Sequence, residues 1–337
     1  MTRTPRAVLL FLVAALIALA VFPQFAERFY IQLVTKIMIV AIFAMSLDLL
    51  VGYTGLVSFG HAAFFGIGGY ALAIVARDLD LTSIWTTLPI AIAASGVAAL
   101  VIGWLSIRTS GVYFIMITLA FAQMLFFVVH DNLALGGSDG MYLNTKPTVS
   151  VAGIDLVNLR NRTEFYYFSL LCLTASYLFC RMILRSPFGR VIAAIRINEP
   201  RTRALGYPTQ RYKLASFVVA GMLAGLAGYL ACAQFGFVNP ALLSWRESGQ
   251  ALVIVILGGM GTLYGPVIGS FVLILLEDYL SSLTEHWLLV IGFFVIGVVL
   301  FLPDGIASLM TRFRRRPADE DGGGETTVVA SGAAGDD

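Results

Sequence analysis

Charge is scarce in this sequence. Of 337 residues only 12% are Asp, Glu, Lys or Arg, while 58% are hydrophobic and mean hydropathy is +0.86. Soluble domains carry roughly twice that share of charge, so a water-soluble globular domain is excluded. Cysteine is nearly absent too. Cys172, Cys180 and Cys232 all fall inside apolar runs, which leaves nothing on which to build a disulfide framework or a thiolate metal site. The three histidines, His61, His130 and His286, sit on separate runs without H-E-x-x-H or G-x-S-x-G spacing, which argues against a membrane-embedded hydrolase. No G-x-x-x-x-G-K-[ST] phosphate loop occurs, so ATP has no backbone cradle of the usual kind in this chain.

What the sequence has in abundance is long apolar runs. About 20 helical residues cross the hydrocarbon core. Runs of that order lie at 7–23, 31–51, 56–76, 84–107, 111–130, 165–184, 213–234, 248–259, 264–281 and 286–303. They predict an all-α polytopic membrane protein with about ten transmembrane helices, or eight to ten if some do not cross. The 248–259 run is too short to span comfortably and reads as re-entrant, or as a half-helix continuing into the next.

Orientation follows from the basic residues. With the N-terminus inside, fifteen of the 22 lysines and arginines fall on the cytoplasmic side, eight of them between Arg181 and Lys213. That satisfies the positive-inside rule and places both termini in the cytoplasm for an even number of crossings. Residues 1–20 imitate a secretory signal, with Arg3, Arg6 and a closing "ALA", but are read as an uncleaved first helix. Residues 1–316 form the transmembrane domain. Residues 317–337 carry six acids and no base and are expected to be a disordered tail, leaving a basic inner face suited to anionic lipid headgroups.

Six of the nineteen residues in "GYTGLVSFGHAAFFGIGGY", 52–70, are glycine. An unpartnered backbone group in lipid costs several kcal/mol, so a loosened helix must face protein or a water-filled cavity. Gly52, Gly55 and Gly60 predict a break between the second and third runs, with Ser58 and His61 offering hydrogen-bonding groups there. His61 alone reads as a core histidine bonded to a backbone carbonyl. The segment as a whole, with Ser58, Gly60, His61, Phe64 and Gly66, reads as a wall of a transport route. Gly221 and Gly225, and Gly261, Gly265 and Gly269, recur at four-residue steps and predict close helix packing.

In the loop 185–212, Val191, Ile192 and Ile195 form an apolar stripe at helical spacing, leaving Arg190 and Arg196 free to point elsewhere. Pro200 suits the first turn of a second short helix and Gly206 its stop. Two small helices lying along the inner surface make a docking element for another protein. Asp48 is the one acid well inside a run, with Glu277 and Asp278 near an outer end. It reads as a partner or cap at the break rather than as the proton or sodium relay that an ion-driven carrier would need.

The stretches "GYTGLVSFGHAAFFGIGGYA" (52–71), "GGSDGM" (136–141), "GRVIAAIRINEPRTRALGY" (189–207) and "LGGMGTLYGPVIG" (257–269) resemble the LivM/LivH-type permeases of bacterial ABC importers for branched-chain amino acids. The LivM type fits better, through "SDGM" and the long outer loop 131–163. The resemblance implies a heteromeric importer in the inner membrane. Its parts are this permease, a second LivH-like permease, two cytoplasmic ATPases that hold ATP and Mg, and an extracytoplasmic binding protein; no cofactor in this chain and no nucleic acid are expected. It implies that Arg190, Arg196, Glu199, Pro200, Arg201, Arg203, Ala204, Leu205 and Gly206 make up the ATPase-coupling element. The interval from Glu199 to Gly206 is one residue longer than the common coupling consensus. Asp139, Arg160 and Arg162 of the outer loop are expected to touch the binding protein. Similar permeases move urea or short amides, and the residues do not separate those substrates from a branched-chain amino acid.

Overall fold

The computed structural model describes residues 6–79, 83–143, 147–151, 154–158, 161–302 and 305–308. Arg3, Arg160 and the 317–337 segment lie outside them. Among these residues each of the ten apolar runs coincides with a helix. These are α1 (Arg6–Val21), α2 (Arg28–Asp48), α3 (His61–Asp78), α4 (Ile84–Ser106), α5 (Val112–His130), α6 (Arg162–Arg185), α9 (Thr209–Phe235), α10 (Trp245–Gly258), α11 (Gly265–Leu283) and α12 (Trp287–Phe301). The loop between α6 and α9 folds into α7 (Pro187–Ile197) and α8 (Glu199–Ala204). Among the described residues six helices are long and apolar enough to cross a membrane, namely α2 with its continuation to Thr54, α4, α5, α6, α9 and α11. The chain is therefore a polytopic helical membrane protein.

Among the described residues four short strands interrupt the all-helical pattern, all in connecting segments. β1 (Met141–Tyr142) pairs antiparallel with β4 (Phe237–Val238), and β2 (Thr148–Val151) forms a hairpin with β3 (Ile154–Asn158). The β1–β4 pairing ties the connection after α5 to the end of α9, a long-range contact that apolar periodicity does not report.

α2 and α9 form the interior. Within its most apolar window 89% of the α2 segment is buried, against 22% for α5, which lies at the periphery. Close approach comes from small residues: a Cβ at Gly68 of α3 would strike the Gly225 backbone of α9, one at Gly228 the Phe65 carbonyl, and one at Gly221 the Ala99 methyl of α4. Without a hydrophobic driving force between helices in lipid, such backbone contact is what dispersion has to work with.

α10 spans about 21 Å at 1.5 Å per residue, short of the roughly 30 Å hydrocarbon core. It does not run on into α11. Gly269 packs on the Ile254 carbonyl and on Gly258, so the two helices fold back on each other around Gly259 and Gly261, at φ 111° and 77°. Gly265 and Gly269 both serve this tight return, Gly265 lying against the Gly258 and Gly259 carbonyls.

Candidate functional site

The predicted break between the second and third runs is present and has a defined form. α2 widens into a π-helical stretch, Leu49–Thr54, which stops at Gly55 in the left-handed region (φ 79°). Residues 55–60 are non-helical, and α3 restarts at His61 rather than at 56. Widened turns of this kind free backbone carbonyls for other partners. Here two distant segments reach the break. Asp48 Oδ1 accepts a 2.8 Å hydrogen bond from the Gly261 amide, and Arg196 Nη1 of α7 donates to the Gly52 carbonyl. A Cβ at Gly55 would sit 3.2 Å from Arg196 Cγ, and one at Gly261 would sit 3.1 Å from Arg196 Nη1. Gly52, Gly55 and Gly261 thus form a socket around the arginine. Arg196 does not point away from the helical bundle, as its place beside the apolar stripe suggests, but into the break.

The stripe itself behaves as expected: Ile192 and Ile195 are buried, and Val191 is partly so. α7 is capped by Ser186, whose Oγ accepts from the Gly189 amide, and α8 by Asn198, whose Oδ1 accepts from the Arg201 amide at 2.9 Å. Pro200 occupies the first turn of α8, and Gly206, at φ 87°, ends that turn. Glu199 faces inward. It receives Lys213 Nζ at 2.5 Å, Thr209 Oγ1 at 3.0 Å and Arg203 Nη2 at 3.1 Å, anchoring α8 to the start of α9. Burial by itself raises the Glu199 carboxyl, but the hydrogen bonds and charges of Lys213, Thr209 and Arg203 outweigh it and hold the group below the usual carboxylate range.

Arg190, Pro200, Arg201, Arg203, Ala204, Leu205 and Gly206 are exposed. Among them Leu205 is 73% exposed, and Ile197 nearby is 85% exposed. Two large apolar side chains are thus held out among arginines on this helix pair, an exposed crest.

Ser58, Gly60, His61, Phe64 and Gly66 come together, but in the packed interior. Ser58, His61 and Phe64 are each at most 1% exposed. His61 Nε2 shares a 2.7 Å hydrogen bond with Ser46 Oγ of α2, not with a backbone carbonyl, and its ring stacks on Phe43 at 5.5 Å. Phe64 meets His61 and Phe217 edge-on. The Ala62 amide donates to Ser248 Oγ of α10, Gly60 abuts the Thr118 carbonyl of α5, and Gly66 abuts Leu243. The start of α3 is therefore pinned to α2, α5 and α10 at once. Ser46, Ser248 and Lys213 are residues that sequence reasoning did not single out; each looks like an ordinary polar residue in or beside an apolar run.

Around the outer loop, Asp139 and Arg162 are both exposed. Asp139 ends a short 3₁₀ turn flanked by Gly136 and Gly140 at φ 85° and 79°, and Arg162 opens α6 under the Asn161 cap. Arg77 at the end of α3 donates to the Ala134 carbonyl at 2.6 Å, fixing this loop to the bundle.

A membrane-spanning bundle whose broken central helix is met at the break by α7 through Arg196 defines, as a class, a polytopic helical membrane protein. The family model for the branched-chain amino acid transport system permease component matches residues 29–300, and the chain belongs to that family. It is 30% identical over 322 residues to the high-affinity branched-chain amino acid transport system permease protein LivM of Escherichia coli K12, covering 90% of this chain and 75% of that one. It is 25% identical over 287 residues to the corresponding LivH of the same organism, covering 79% and 90%. A shorter match, 33% over 141 residues, is to the autoinducer 2 import system permease LsrC of Klebsiella pneumoniae, covering 40% and 39%. No solved structure matches the chain.

Proposed function

We propose that this chain is the LivM-like permease of an ATP-driven importer. With a LivH-like partner it forms the path by which a branched-chain amino acid, delivered by an extracytoplasmic binding protein, crosses the inner membrane. Two cytoplasmic ATPases bind ATP and Mg, and this chain supplies no cofactor. The ten apolar helices, short α10 included, reach into the membrane, with both termini and the α7–α8 loop cytoplasmic and residues 131–163 outside. The observation that carries the reading is the Arg196 socket. It joins a helix pair presenting an exposed crest directly to the break in α2, the most deeply buried span.

ATPase closure moves the crest formed by Arg190, Arg201, Arg203, Ala204, Leu205 and Gly206. α7 carries that displacement through Arg196 to Gly52, while Glu199 and Pro200 keep α8 in step with α9. The π-helical stretch bends where a straight helix would resist, because its Gly52 carbonyl already has a partner outside the helix. Residues 58–66, packed behind the route, transmit the bend to α3, α5 and α10 and so switch the opening from one side to the other. Asp139, Arg160 and Arg162 meet the binding protein.

Proteoliposomes carrying this chain with its second permease, ATPases and binding protein are expected to accumulate radiolabelled leucine only when ATP is supplied. Accumulation by this chain alone under a proton or sodium gradient overturns the reading.

A further inference from the structure

A cavity of about 180 Å³ lies where α4 ends and α9 begins, lined by Gly103, Trp104, Ile107, Arg108, Gln210, Arg211 and Leu214. Liquid water occupies about 30 Å³ per molecule, so the cavity holds a phosphate group with a few bridging waters. Its polar rim is basic. Arg108 lies 4.5 Å over the Trp104 ring, and neither Arg108 nor Arg211 has an ion-pair partner among the described residues. Arg211 and Gln210 belong to the first turn of α9, which no side chain caps, so the positive end of the helix dipole adds to the potential.

Above the cavity α4 presents an uninterrupted apolar stripe. Val97, Leu100, Val101, Trp104 and Leu105 are 41–62% exposed and lie at i, i+3, i+4, i+7 and i+8 on one helix face. From Val97 to Arg108 is eleven residues, about 16 Å of helix, which matches half of the roughly 30 Å hydrocarbon core. A paired cationic pocket at one end of a single-leaflet apolar stripe, with a tryptophan at the junction, reproduces the dimensions and chemistry of one phospholipid.

We infer that the α4–α9 junction is a binding site for an anionic phospholipid, its phosphate held by Arg108 and Arg211 and one acyl chain laid along Val97, Leu100, Val101 and Leu105. The inference requires only that α4 and α9 cross the membrane and is independent of the transported substrate. Each basic residue near a membrane surface contributes about 1 kcal/mol to anionic lipid binding, so losing both weakens it by roughly thirtyfold.

The test is native mass spectrometry of the full chain purified in mild detergent and titrated with phosphatidylglycerol or phosphatidylcholine. The expected result is one retained phosphatidylglycerol per chain. It is bound about thirtyfold more weakly by R108Q/R211Q, partly restored in R108K/R211K, and unaffected in R28Q/R246Q, which removes two exposed arginines elsewhere. Equal retention by wild type and R108Q/R211Q overturns the site, as does equal weakening by R28Q/R246Q. Inorganic phosphate that displaces phosphatidylglycerol at comparable concentration overturns the lipid as occupant, since the acyl chain would then contribute nothing.

Discussion

Replacing Arg196 with alanine removes the guanidinium from the socket at the break in α2 and leaves the Gly52 carbonyl without its donor. A hydrogen bond involving a charged group contributes about 1.5–3 kcal/mol. Arg196 keeps part of its side chain in water, so the lower half of that range applies, about 1.5–2 kcal/mol. At 1.4 kcal/mol per decade, the closed joint becomes roughly ten- to thirtyfold less populated relative to the open one. Hydrogen exchange across residues 187–197 and 49–56 should accelerate by that factor in the assembled importer. In the proposed importer, amino acid moved per ATP hydrolysed should fall while basal hydrolysis continues. Lysine at this position keeps the charge but loses the planar fork and should be intermediate. Alanine at Gly261 tests the same joint from the other side. Its Cβ would lie 3.0 Å from the Gly52 carbonyl and 3.1 Å from Arg196 Nη1, at a φ of 77° that L residues rarely adopt, so it should mimic the arginine deletion with the arginine present. Faster exchange at α7 with an unchanged ratio of transport to hydrolysis would refute the idea that the joint transmits motion.

Three further outcomes follow from the same contacts. Glu199→Gln should loosen α8 from α9 and make the 198–208 segment more sensitive to limited proteolysis. Because the Glu199 carboxyl is held below its usual range, its contribution is full at neutral pH and fades as pH falls through and beneath the ordinary carboxylate range; wild-type sensitivity should rise there, and a flat profile refutes the anchoring role. Gly68→Val should destabilise the purified chain by the about 1–3 kcal/mol typical of overpacking, or more, and so lower its unfolding temperature, since even a Cβ would lie 2.7 Å from Gly225 Cα; an unchanged midpoint counts against backbone contact there. Ser46→Ala strands His61 Nε2 in a buried site and should cost about 1–3 kcal/mol in the same assay, with Ser248→Ala acting independently on the Ala62 amide.

The helices were legible before the fold because apolar run length and glycine placement are local properties. The break at Gly52–Gly60, the paired helices α7 and α8, the proline start and glycine stop of α8 and the close packing at Gly221, Gly225, Gly265 and Gly269 all follow from spacing alone. Directions were less legible. Arg196 and Glu199 sit in one basic loop with similar local surroundings, yet one reaches into the bundle and the other anchors α8 to α9. Residues 58–66 read as a wall from their glycines, but which helices they touch, α2, α5 and α10, was not legible.

By itself the amino-acid sequence determined that this chain lives in a membrane, which segments are helical, and where the backbone yields. Those outcomes depend on hydrophobicity summed over twenty residues and on the backbone freedom of glycine. Only the tertiary structure decided that Gly52 meets Gly261, that Asp48 accepts from an amide more than two hundred residues away, and that Arg196 fills the gap between them. Periodicity fixes the face on which a residue lies, whereas the partner across that face is set by how all the helices pack at once.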